Sequence, residues 1–184
     1  QEPFLIDTTK PSGSISYGSG YTNKLGAPLQ IRIDELKTIS NKTFKTILSK
    51  DRAKLEDAAI AEALPTDWKD ITYENGLAIY NWELSDIADG EQQVFTRFMD
   101  EAGNMSDIYE ASITLDRTPP MGEVIYDISL PTSNSVSATL SMDDNYSDVT
   151  LLNNGGSGTY AFNRNGEFEF IIMDAAGNKA RVKA

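Results

Sequence analysis

The chain has 184 residues with no cysteine and no histidine, and 28 acidic side chains outweigh 16 basic ones for a net charge of −12. Disulfide frameworks, thiol chemistry and cysteine zinc sites are therefore absent, and so are the commonest general base, the commonest metal ligand and every His-dependent triad. The acidity disfavours a nucleic-acid partner, whose phosphates need clustered Lys and Arg, and no apolar run reaches the ~20 residues of a membrane span.

Taken in chain order, the opening QEPFLIDTTKP lacks the basic and apolar regions of a signal peptide and reads as the start of a mature or excised fragment. Alternating stretches then follow as predicted strands: SGSISY (12–17), PLQIRIDEL (28–36), GLAIYNWEL (76–84), EQQVFTRFMD (91–100) and IYEASITLD (108–116). Between the second and third lies a surplus running from Lys37 to Tyr73. Within it SKDRAKLEDAAIAEALP (49–65) is rich in Ala, Leu, Glu and Lys, with Ser49 or Asp51 placed to cap and Pro65 to stop. That composition predicts a short helical insertion around 38–66. Beyond Arg117 come six further short segments: MGEVIYD (121–127), SVSATLSM (135–142), DVTLLNN (148–154), GTYAFN (158–163), GEFEFIIMD (166–174) and NKARVKA (178–184). Asn, Gly and Asp turns separate them, as an antiparallel sandwich requires.

Two short phrases recur in the same order. D-x-A-G-N stands at Asp100–Asn104 and at Asp174–Asn178, each time between two alternating stretches, which reads as a hairpin turn. Gly103 and Gly177 can take positive φ there, and Asn104 and Asn178 can bond the local backbone. D-x-T-x-P stands at Asp7–Pro11 and at Asp116–Pro120 and closes a strand, its prolines forcing an extended, semi-rigid joint. From Asp7 to Asp100 is 93 residues and from Asp116 to Asp174 is 58, so one unit occurs twice and the first copy is 35 residues longer. The boundaries expected are 1–117 and 118–184. Because FLID before Thr8 matches ITLD before Arg117, and because the chain stops six residues after Asn178, it reads as an excerpt of a longer tandem array.

This strand, D-x-A-G-N, strand, D-x-T-x-P pattern resembles the bacterial immunoglobulin-like (Big-type) tandem repeats of surface and adhesin proteins. The resemblance covers nearly all of the second unit, including TYAFNRNGEFEFIIMDAAGNKARV, and in the first unit the ends and the stretch from NWEL to LDRTPP. The insertion departs from it. The resemblance implies an all-β chain of two tandem immunoglobulin-like β-sandwich domains, an extracellular location on a bacterial cell surface, and a structural role for the turn Asp and Asn residues. Neighbouring repeats of the same chain would be its partners.

Candidate chemistry is sparse. Glu167 and Glu169 share one strand face and could form a glycosidase pair, or a solvated face opposite Phe168 and Phe170. NNGGSG at 153–158 lacks the Lys and helix of a phosphate loop, and no nucleophile elbow or metalloprotease helix occurs; the chain is expected not to be an enzyme. For calcium, DDNYSD at 143–148 spaces Asp143, Asn145 and Ser147 alternately but departs from the EF-hand pattern at Asp148 and Asn154. The metal candidates are Asp143, Asn145, Asp148 and, for an ion at the joint between units, Asp116; no other cofactor is expected. An isopeptide bond from Lys24 or Lys37 to a late Asn is a further, weaker option. Trp68, Tyr73, Tyr80 and Trp82 gather near the insertion and serve either as packing or as a ligand-stacking platform. Two functions follow: a non-catalytic spacer module, or an adhesive module that binds carbohydrate or a host surface protein through the insertion.

Overall fold

Alternation of apolar and polar side chains decides where strands form and which face of each is buried. The computed structural model describes residues 6–34, 44–60, 67–85 and 88–184. The strands are β1 (Gly13–Tyr17), β2 (Tyr21–Thr22), β3 (Gly26–Ile33), β4 (Lys45–Ser49), β5 (Lys69–Asp70), β6 (Leu77–Glu83), β7 (Gly90–Met99) and β8 (Tyr109–Leu115). They continue as β9 (Met121–Tyr126), β10 (Val136–Asp143), β11 (Thr150–Leu151), β12 (Thr159–Phe162), β13 (Glu169–Met173) and β14 (Lys179–Lys183). The chain is all-β and builds four sheets, ordered β1-β3-β6, β2-β8-β7-β4-β5, β9-β10-β12 and β11-β13-β14.

The chain divides into two compact units, the first from residues 1–20, 25–86 and 91–113 and the second from 21–24, 87–90 and 114–184. In the first, β3 shows the two-residue period cleanly. Ala27, Leu29, Ile31 and Ile33 are each 0% exposed, while Pro28, Gln30 and Arg32 face outward. Leu29, Ile31 and Ile33 meet Ile15, Phe44, Val94 and Phe98 in one core, each contributing ~1.5–3 kcal/mol on burial. Strand β7 is buried on both faces: Val94 and Phe98 point into that core, and Phe95 packs with Ile47 and Leu55 in a second one. Leu55 belongs to the insertion, which therefore covers the outer face of this sheet.

The single helix expected across the insertion is not formed over its described residues. A 3-10 turn spans Arg52–Leu55, with the Asp51 side chain accepting from Ala53 N as its N-cap, and one helical turn spans Asp57–Ile60. Between them Glu56 is extended, at φ −66° and ψ 153°. The reason is packing. Leu55 turns into the core beneath the sheet, and Arg97, 6% exposed, donates to Leu55 O and to the Asp57 carboxylate. The first of those bonds captures a carbonyl that a continuous helix would have kept within itself. The parts of the expected insertion at 38–43 and 61–66, with Lys37, lie outside the described residues.

The second unit is two three-stranded sheets facing each other over Leu140, Phe170 and Ile172. Val124, Leu151, Tyr160, Phe168 and Val182 pack around these three, and Tyr160 stacks on Phe168 with centroids 3.8 Å apart. Alternation again sends Glu169 outward, where it pairs with Arg181 of the neighbouring strand.

Candidate metal centre

Both recurrent phrases meet in space. In the second unit Asn178 Nδ2 donates to the Asp116 carbonyl at 2.8 Å, and in the first Asn104 Nδ2 donates to the Asp7 carbonyl at 3.0 Å. Each D-x-A-G-N turn thus holds the main chain of the D-x-T-x-P phrase that opens its own unit. The turns are alike in detail. The Asn main-chain N–H donates to one oxygen of the turn Asp at 2.8 Å in both, and the Asn amide donates to the other oxygen at 2.9 Å and 2.8 Å. Gly103 and Gly177 sit at φ 88° and 92°, where a Cβ would be strained.

In the second unit this fastening assembles three carboxylates. Asp116 follows β8; its N–H donates to Thr22 O, and its Oδ1 accepts from Thr118 N at 3.0 Å. Asp144 follows β10 and its Oδ2 accepts the N–H groups of Tyr146 and Ser147, each at 3.0 Å. Asp174 follows β13 and is held by Asn178. Carboxylate oxygens of all three lie within 4.8 Å of one another. Ser147 Oγ accepts from Ala175 N at 3.0 Å, tying the Asp144 loop to the Asp174 turn.

Asp116 is 0% exposed and Asp174 3% exposed, and the Asp116 Oδ2 is buried with no hydrogen-bond partner. A buried unpaired carboxylate oxygen is costly unless something positive meets it. Burial pushes the Asp116 carboxyl above its ordinary range; the Thr118 amide opposes this, and the negative charges of Asp144, Asp174 and Asp89 add to it. Asp89 itself is paired, because Arg117 donates to it from both N and Nε and holds it ionised, below the usual carboxylate range. Arg117 is thereby committed to a different acid from the trio. Oxygen-only, anionic and partly dry, the donor set fits a hard divalent cation.

Of the residues singled out for calcium, Asp116 stands in this trio. Asp143, Asn145 and Asp148 are exposed, with Asp143 paired to Met121 at the end of β10. The loop folds back on Asp144 instead of running extended, so alternate positions do not converge. Asp144 and Asp174 were not among the expected ligands; the signal that points to Asp174 is the recurrence of its turn in step with the Asp116 phrase. Trp68, Tyr73, Tyr80 and Trp82 are all partly buried and fall into two separate clusters. Trp68 packs on Ile47, Leu55 and Phe95, and the other three pack on the main core of the first unit.

No protein-family model matches the sequence, and no curated protein matches it. Among solved structures the chain is similar to a tetra-tandem repeat in the extending region of a large adhesion protein, at 16% identity and TM-score 0.32, covering 94% of this chain and 48% of that one. It is also similar to dimeric latent PorU from Porphyromonas gingivalis, at 12% identity and TM-score 0.33, covering 99% of this chain and 20% of that one. The chain thus spans about half and about a fifth of these two. At such TM-scores neither likeness carries a function over.

Proposed function

We propose that this chain is a non-catalytic structural module of a bacterial surface protein of the adhesin kind, composed of two immunoglobulin-like units in tandem. Its functional centre is a divalent-cation site, calcium by its chemistry, formed by Asp116, Asp144 and Asp174. The observation that carries this reading is the Asp116 carboxylate: fully buried, one oxygen unpartnered, and facing two more carboxylates. Calcium takes six to eight oxygens at 2.3–2.6 Å, which three carboxylates and water can supply. Because Asp116 is the first residue of the linker phrase, an ion there would fasten the linker to the body of the second unit. Stiffening of a joint is what a spacer needs, and the buried Pro11 and Pro120 and the doubled Asn fastening support the same role.

The test is calorimetric titration of calcium into chelator-treated protein, with thermal unfolding alongside. One saturable site and a rise in unfolding temperature are expected, both lost in Asp116→Asn and in Asp144→Asn. Absence of heat and of any shift at millimolar calcium would refute the cation reading.

A further inference from the structure

Resting on that cation reading, we infer that Asn178 is the positioning residue of the centre, and that its side chain serves the cradle and not the hairpin turn. The turn closes without it: Gly177 N donates to Asp174 O at 3.3 Å, and Asp174 N donates to Asn178 O at 3.1 Å. The side-chain bonds of Asn178 go to one carboxylate of the trio and, beyond the turn, to Asp116, Thr118 and Asn23. Nδ2 donates to Asp174 Oδ2 at 2.8 Å and to Asp116 O at 2.8 Å, with Thr118 O more distant at 3.4 Å. Oδ1 accepts from Asn23 Nδ2 at 3.2 Å. One amide therefore orients the carboxylate of one ligand and the main chain of another, and a second amide orients it in turn.

The arrangement has the form of an outer shell around a metal. An Asp174 oxygen that accepts one N–H retains a lone pair, and a carboxylate locked by such bonds loses less freedom when it ligates. Asn104 repeats the hub in the first unit with Asp100 and Asp7, but there no third carboxylate joins the two among the described residues. Asn104 is thus a matched control: the same turn and the same linker bond, away from the cation centre.

The experiment compares Asn178→Ala, Asn104→Ala and Asn23→Ala with the wild type. Calcium Kd is read by calorimetry at the site that Asp116→Asn abolishes, and unfolding temperature is read in chelator. Loss of an outer-shell partner typically weakens metal binding 10–100-fold, so Asn178→Ala should raise Kd by about tenfold or more, and Asn23→Ala by a smaller factor. Asn104→Ala should lower the unfolding temperature in chelator and leave Kd unchanged. An Asn178→Ala protein that loses stability yet binds calcium with wild-type Kd overturns the positioning role. If Asn178→Ala does not fold, Asn23→Ala decides, and an unchanged Kd there overturns it too. A wild-type protein that binds no calcium is a different failure, that of the cation reading itself.

Discussion

Tyr17 and Tyr73 show how single side chains in the first unit respond to burial. The Tyr17 hydroxyl is buried without a partner, and burial pushes its pKa up to about 12. Burial likewise pushes Tyr73 up to about 12, against a lowering contribution from Thr46, whose Oγ1 lies 2.7 Å from the Tyr73 hydroxyl. Both phenols are held neutral by the fold, so their contribution is whole below the ordinary tyrosine value of about 10 and is lost as pH rises from there towards 12. Of eight tyrosines, these two should ionise last in an absorbance titration, together with unfolding. Ionisation of all eight in one step near pH 10, in a protein still folded, would contradict their burial. Thr46 is itself fully buried, so Thr46→Val should cost about 1 kcal/mol in urea denaturation.

At the scale of elements, β7 and the glycines of the first strands decide most. Arg97 lies on the outer face of β7 and donates to Ser106 O at 2.8 Å, to Leu55 O at 3.0 Å and to the Asp57 carboxylate at 2.6 Å. It is a polar staple between the sheet and the insertion. Arg97→Ala strands two carbonyls and should cost ~3 kcal/mol or more; Arg97→Met, which keeps the stem, should cost less. Equal losses would show that the stem's packing contributes nothing and that the polar bonds carry the whole effect. Gly13 and Gly122 occupy matching places in the two units, each two residues after the last proline of its own D-x-T-x-P phrase. They differ in what a methyl would strike. At Gly13 it would lie 2.1 Å from the Arg32 carbonyl oxygen and 2.9 Å from the Phe98 ring. At Gly122 it would meet only side-chain atoms, the nearest being Val182 Cγ2 at 2.7 Å. A backbone oxygen cannot rotate away, so Gly13→Ala should cost ~3 kcal/mol or more. Gly122→Ala should cost clearly less, by the same denaturation measurement.

For the whole molecule, the two units should respond differently to calcium. A ligand that binds only the folded state adds about 2.7 kcal/mol when present at a hundred times its Kd. The described residues gather a carboxylate trio in the second unit alone, so scanning calorimetry should show one unfolding transition that rises with calcium and one that does not. Asp174→Asn should abolish the difference. How far all this was legible in the sequence varies by feature. The period-two stretches name the longer strands outside the insertion, because a sheet with one buried face forces alternation; they miss β2, β5 and β4, which lies at Lys45–Ser49 inside the segment expected to be helical. The D-x-A-G-N hairpins were legible because Gly at positive φ and a bonding Asn are local requirements. The insertion was misread as one helix: its Ala, Leu, Glu and Lys carry helix propensity, but Leu55 and Arg97 belong to a tertiary contact that propensity does not encode. Spacing along one loop points to Asp143, Asn145 and Asp148, whereas the trio joins Asp116, Asp144 and Asp174 from three separate stretches. What the sequence determined by itself was therefore all that depends on neighbours a few residues apart: strands, turns, extended proline joints and the duplication. Only the tertiary structure decided that the turn amide grips the linker carbonyl 62 residues earlier, and that one carboxylate is buried beside two others, since burial and convergence are properties of the packed chain and not of any segment.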